Sequence, residues 1–147
     1  MKHLVMVAFV FVVVGGLTDL CGMSARAEDA DAHHEHFVKC AKACADCQQQ
    51  CDMCFHHCAG LVVEGKKDHA KSMHTCVDCA DCCALAAKLT ARQSPFSATA
   101  CECCAKCCDE CAVACETFKD DKHMVDCAKS CRDCAKACRA MIEHLKH

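Results

Sequence analysis

The sequence predicts an all-α protein, an antiparallel up-down four-helix bundle with a cysteine-lined core. Three observations carry this. Cysteines recur at alternating steps of four and three residues, as at Cys40, Cys44, Cys47, Cys51, Cys54 and Cys58, which is the spacing of one helix face. The residues between them are mostly Ala, Lys, Glu, Asp and Gln, and all of these except Asp are good helix formers. No stretch alternates polar and apolar residues as a half-buried strand does.

Residues 1–27 have the pattern of a cleavable signal peptide. Lys2 and His3 precede an apolar run from Leu4 to Leu17, and Ala25-Arg26-Ala27 forms a small-x-small site. The run is short for a membrane span. Leu20 stands before Cys21 where lipidation signals want a small residue, and no twin-arginine pair occurs. An exported protein, periplasmic or extracellular, is therefore expected, with residues 28–147 as its one domain. Cleavage after Ala27 would remove Cys21 and leave an odd number of cysteines.

Four cysteine-bearing blocks follow. The first runs from about Ala32 to Gly60, and Leu61 to Lys67, with Gly60 and Gly65, reads as a turn. The second runs from about Asp68 to Ala91 and is stopped by Gln93-Ser94-Pro95. Ser97 is the expected N-cap of the third, which reaches about Phe118. Lys119 to Asp121 forms the next turn, and Asp121 is the expected N-cap of the fourth block, which continues to the C-terminus. Such short connectors make successive helices antiparallel neighbours.

Block two carries Cys76, Cys79 and Cys83. Block three carries Cys101, Cys104, Cys108, Cys111 and Cys115. Block four carries Cys127, Cys131, Cys134 and Cys138. With the six of block one, these thiols occupy the seam positions that face a bundle centre. Cys82, Cys103 and Cys107 flank the seam and are candidates for additional metal ligands.

Composition narrows the function. The chain has 147 residues, enough for one domain, and a net charge of −3 with no long basic run, so a nucleic-acid surface is not indicated. No nucleophile–base pair stands apart from the other thiols, so no enzyme is expected.

Packing alone does not explain the seam, because replacing Leu by Cys forfeits about 0.8 kcal/mol for each buried methylene lost. Disulfides in a secreted helical interaction module are one alternative. Against them, side chains at i,i+4 have Cβ atoms about 5–6 Å apart, whereas a disulfide needs about 3.5–4.5 Å. Thiolates otherwise select Cu(I), Zn(II) or iron–sulfur clusters. Zinc in a structural site takes four tetrahedral ligands, and the continuous seam does not break into obvious groups of four, although cross-helix sites could supply them and a zinc or mixed-metal thiolate buffer stays open. Cys76, Cys79 and Cys82 begin an iron–sulfur-like run, but Ala86 stands where a fourth cysteine would be needed. Cu(I) fits best. It accepts two or three thiolates, thiolates bridge neighbouring ions, and one monovalent ion per thiolate neutralises a core whose bare charge would be prohibitive. Half to one ion per core cysteine gives on the order of ten to twenty ions per chain, held by thiolate.

These Cys-x3-Cys and Cys-x2-Cys ladders resemble those of the bacterial copper storage proteins, over about His33 to His147. The resemblance implies a cysteine-lined bundle that stores or buffers many Cu(I) ions in copper homeostasis, performs no catalysis, exchanges copper with donor and acceptor proteins, and often assembles as a homotetramer. Two departures stand out: the twin-arginine signal of exported relatives is missing, and Cys82, Cys103 and Cys107 lie off the seam.

Histidine and methionine gather at the helix ends. Up-down topology groups His56, His57, His69, Met73, His74, His123 and Met124 at one end. It groups His33, His34, His36, Met141, His144 and His147 at the other. His69 and Met73 continue the block-two ladder at its own spacing, and Met124 precedes that of block four. His69, Met73 and Met124 are the candidate mouth through which copper enters. Lys42, Asp46, Lys88, Lys106, Lys129 and Asp133 read as solvated outer surface.

Overall fold

A computed structural model describes the backbone of residues 20–146 and the side chains of residues 31–146. Most of the expected signal segment, residues 1–19, and His147 lie outside the described residues. Four helices form: α1 Leu20–Val63, α2 Ala70–Ala91, α3 Ser97–Cys115 and α4 Lys122–His144, with a single 3-10 turn at Lys67–His69 before α2. No strand occurs among the described residues.

The helices stand at the corners of a square. α1 packs on α2 and α4, and α3 packs on α2 and α4, while the diagonal pairs have no backbone contact among the described residues. Sulfur crosses the diagonals instead. Cys47 on α1 meets Cys108 on α3 at 3.9 Å, and Cys83 on α2 meets Cys134 on α4 at 3.9 Å. Buried Ala80, Ala105, Ala112, Ala128 and Ala135 line the sides of the square, where a small side chain lets adjacent helix axes approach. Phe37 and Met141 are buried beyond one end of the sulfur column and Met124 at the other.

The helix ends correct two expectations. α1 runs on through Gly60, where an added Cβ would meet nothing within 4 Å, so this glycine neither breaks the helix nor permits a close contact. The chain turns at Gly65 instead. Its φ of +92° lies in the left-handed region, which glycine enters without a Cβ penalty. There the Lys66 amide donates to the Leu61 carbonyl at 3.0 Å and closes the helix. Ser97 is not the N-cap of α3. Phe96 holds the cap position without a side-chain bond. Ser97 is the first helical residue, buried, and its hydroxyl donates back to the Leu89 carbonyl at 3.2 Å. The seryl contact to the free amide comes from Ser94, whose hydroxyl accepts from Phe96 at 3.2 Å. Asp121 does cap α4: its side chain accepts from the amides of His123 at 2.9 Å and Met124 at 3.4 Å.

Candidate metal centre

Each helix contributes one stripe of thiols because steps of three and four residues return a side chain to the same face. Six cysteines of α1, from Cys40 to Cys58, extend over about 27 Å at 1.5 Å per residue. The stripes of α2, α3 and α4 run alongside. All eighteen seam cysteines are buried, none more than 1% exposed. Every cysteine from Cys40 to Cys138 is free. The nearest seam sulfurs are 3.5 Å apart, as for Cys44 with Cys138, Cys79 with Cys108 and Cys83 with Cys104. A disulfide bond is about 2.05 Å, so the pairs are in contact and not bonded.

The sulfurs form overlapping groups of four. Cys44, Cys104, Cys134 and Cys138 make one; Cys47, Cys83, Cys108 and Cys134 another; Cys47, Cys51, Cys79 and Cys131 a third. Cys51, Cys111, Cys127 and Cys131 follow, then Cys54, Cys76, Cys115 and Cys127. Within each group the ligand atoms lie within 4.8 Å of one another. Cys47, Cys51, Cys127, Cys131 and Cys134 each belong to two of these groups, so neighbouring groups overlap. They make one continuous column. Cys40 and Cys101, 3.7 Å apart, finish it at one end, where the Thr90 hydroxyl touches the Cys101 sulfur at 3.7 Å.

The protonation of the column is collective. Hydrogen bonding with Cys108, reinforced by burial, raises the Cys131 thiol well above its ordinary range. Hydrogen bonding with Cys104, with burial added, does the same to Cys44. Cys111 is driven the other way by hydrogen bonding with Cys115, and Cys79 is lowered to about 7, chiefly by Cys108. A sulfur that accepts from its neighbours loses its proton more easily, and the neighbours that donate hold theirs more tightly. A cation entering the column displaces those protons.

At the far end the column stops on a thioether. Met124 is fully buried, and Cys58 and Cys54 donate to its sulfur at 3.5 and 3.6 Å. Met73 is partly buried against the core. His69 lies in the 3-10 turn before α2, 7% exposed, its ring stacked on Phe118 at 3.9 Å. Its Nδ1 is buried without a hydrogen-bond partner, an arrangement that ordinarily costs about 1–3 kcal/mol. The covering role of Phe118 was not foreseen from the sequence; an aromatic at a helix end gives no spacing signal. His57 Nε2 is 2.6 Å from Asp121 Oδ2, and its ring stacks on His123 at 4.4 Å. The opposite end gathers His33, His36 and His144. His144 Nε2 lies 2.8 Å from His33 Nδ1, and its ring stacks on His36 at 4.1 Å. Cys82, Cys103 and Cys107 stand apart from the column, on the outer side of the α2–α3 interface.

A buried column of free thiols along a four-helix bundle defines a soft-metal-binding protein, and comparison with known proteins makes the class specific. The copper storage protein family model matches residues 33–143. The chain belongs to the copper storage protein family. The uncharacterized cysteine-rich protein YhjQ of Bacillus subtilis is 38% identical over 106 residues, covering 69% of this chain and 92% of YhjQ. The Cu(I)-bound copper storage protein BsCsp3 superposes with a TM-score of 0.67 at 36% identity, covering 73% of this chain and 98% of its own. A cytosolic copper storage protein from Streptomyces lividans, with five coppers, superposes with a TM-score of 0.70 at 25% identity, covering 77% of this chain and 97% of its own.

The last comparison overturns the expectation of an exported, periplasmic or extracellular protein, since that neighbour is cytosolic. The signal was compositional, a basic start and a short apolar run. The described backbone is helical without interruption from Leu20 through Ala27, the point where cleavage was expected.

Proposed function

We propose that this chain stores several Cu(I) ions at once, as a thiolate cluster filling the bundle axis. Cys40, Cys44, Cys47, Cys51, Cys54, Cys58, Cys76, Cys79, Cys83, Cys101, Cys104, Cys108, Cys111, Cys115, Cys127, Cys131, Cys134 and Cys138 are the ligands. The observation that carries this is the sharing of sulfurs between successive four-sulfur groups. Shared sulfurs suit an ion that takes two or three thiolates and tolerates bridging, whereas closed tetrahedral zinc sites would occupy only separate sets and leave some of the eighteen seam thiols without metal. Capacity is on the order of ten to twenty ions per chain with thiolate as the ligand form.

Copper enters at the end marked by His69, Met73 and Met124. Support comes from the unpartnered His69 Nδ1 and the thioether of Met124 in line with Cys54 and Cys58. Both are neutral donors, weaker than thiolate, and suit transient holding. Exchange with copper donor and acceptor proteins and assembly as a homotetramer rest on the family resemblance.

An anaerobic Cu(I) titration of the reduced protein against a chromophoric chelator tests the store. The absence of Trp and Tyr leaves the near ultraviolet clear for copper–thiolate absorption. Uptake of about ten or more ions is expected with thiolate ligation; saturation at two or fewer would sink the proposal.

A further inference from the structure

Among the described side chains, the column accounts for every buried cysteine and leaves three others. Cys82 Sγ on α2 lies 3.1 Å from Cys107 Sγ and 3.7 Å from Cys103 Sγ on α3. Cys103 is exposed, and Cys82 and Cys107 are half-buried. Each immediately precedes a seam cysteine in the chain. Cys83, Cys104 and Cys108 form an inner triangle with edges of 3.5, 3.6 and 3.9 Å. The α2–α3 interface thus carries one thiol triangle facing the axis and a second facing outward. Among the described residues, the hydrogen bonds of the outer sulfurs stay within the outer triangle.

We propose that Cys82, Cys103 and Cys107 form a second, separate metal site that binds one Cu(I) at the surface in open exchange with solvent. It rests on the storage proposal only for the identity of the ion. A metal–sulfur bond of about 2.3 Å sets three sulfurs of a trigonal site roughly 4 Å apart, and the two edges that meet at Cys82, 3.1 and 3.7 Å, need to widen by less than about 1 Å to reach it. Because α3 supplies two ligands one turn apart and α2 the third, neither helix has to unwind. Cu(I) needs no fourth ligand, whereas zinc requires one.

The chemistry differs from that of the column because one face of the site is open. An incoming thiolate, on a small molecule or another protein, adds to the ion there. Each Cu–S bond to an incoming thiolate replaces one to the outer triangle, and when all three have been exchanged the copper leaves as Cu(I) with no electron transferred. The three freed cysteines each take a proton from solvent. Ions in the column have no such open face, so the outer ion exchanges faster.

Alkylation footprinting of the full chain tests the site. Reduced protein, apo and Cu(I)-saturated, is treated anaerobically with iodoacetamide and digested, and each cysteine is quantified by mass spectrometry. Saturation is expected to slow labelling of Cys82, Cys103 and Cys107 at least tenfold. In Cys107→Ser, Cys82 and Cys103 should then label at their apo rates while the column stays protected. A millimolar thiol chelator should strip the outer protection first. Outer cysteines that label at apo rates beside a protected column overturn this site and leave the store intact. Loss of protection in the column itself would instead sink the store. Protection of the outer three by Zn(II) but not Cu(I) would also overturn the proposal. Cys107 is half-buried and outside the column, and circular dichroism of Cys107→Ser checks that the helices are retained.

Discussion

The Met124 sulfur on α4 sits 3.5 Å from the Cys58 sulfur on α1, and there the thiol column changes to a thioether. A thioether cannot deprotonate, so it offers copper a neutral ligand next to ligands that need to lose a proton. The Met124→Leu substitution keeps the volume and removes the sulfur. Such an exchange generally costs less than about 1.5 kcal/mol, so the fold should survive. Copper capacity should stay within one ion of the unsubstituted chain, while the initial rate of uptake from a chelator falls several-fold. Stopped-flow loading followed at the copper–thiolate absorption separates rate from capacity. A lower capacity with an unchanged rate would assign Met124 to the core alone.

His69 makes a sharper case, because its two roles pull in opposite directions. Its buried Nδ1 lacks a partner, and an unsatisfied buried polar atom costs about 1–3 kcal/mol. Replacing it by Phe removes the orphan and retains a ring to stack on Phe118. His69→Phe is expected to raise apo stability by about 1 kcal/mol, read from the urea midpoint at constant slope, and to slow copper loading. A stabilised apo protein that loads at the original rate would remove His69 from the entry path.

The fold was readable because periodicity alone carried it. A four-three ladder of one residue type has a single helical interpretation, and the connectors are too short for anything but antiparallel neighbours. Asp121 was legible as a cap because it precedes an amphipathic run. Ser97 misled because the same residue type, one place further along, is equally able to turn inward and bond the Leu89 carbonyl. The column was legible position by position and as one continuous seam, but which sulfurs meet across the helices was not. That Cys47 or Cys131 belongs to two four-sulfur groups depends on the vertical offset of the helices, which spacing within one helix does not encode. For the same reason Cys82, Cys103 and Cys107 were legible as candidate additional ligands but not as one group; their convergence is a matter of α2 and α3 register. The leader-like segment shows how far composition can mislead about location.

Loading should be linked to pH with a definite sign. Copper binds thiolates, so each ion drives off protons and apparent affinity rises with pH. Hydrogen bonding with Cys108 lowers Cys79, whereas thiol neighbours and burial hold Cys131 and Cys44 high, so these two carry protons for the metal to displace. Proton release measured in weak buffer during an anaerobic titration should accompany every addition. Competition with a chelator of known pH dependence should favour the protein more strongly at about pH 8 than at about pH 6. Because the metal binds the folded column, thermal stability should rise with each increment of copper and fall back when a strong Cu(I) chelator strips it. A melting temperature indifferent to copper would mean that the metal is held somewhere other than the packed axis.

Asp121 links helix capping to the end of the bundle that carries the mouth. Burial tends to raise its carboxyl pKa, but the His57 hydrogen bond and charge, with the amides of Met124 and His123, outweigh burial and hold it below its ordinary value. A carboxyl whose pKa is lower in the folded state contributes stability that is fully present above its unfolded value, about 3.9, and is lost as pH falls through the folded value. Loss of an N-cap costs typically about 1 kcal/mol, so Asp121→Ala should lower stability near neutral pH by that order. Asp121→Asn retains a side-chain oxygen for the His123 and Met124 amides and should lose less. It also removes the titrating group, so the stability advantage of the unsubstituted protein over Asp121→Asn should shrink between about pH 5 and pH 2. Urea midpoints measured on the apo, reduced proteins across that range check the sign. An advantage that widens on acidification would mean that the carboxyl stabilises the fold in its protonated form, and that the His57 contact is not what holds this end of α4.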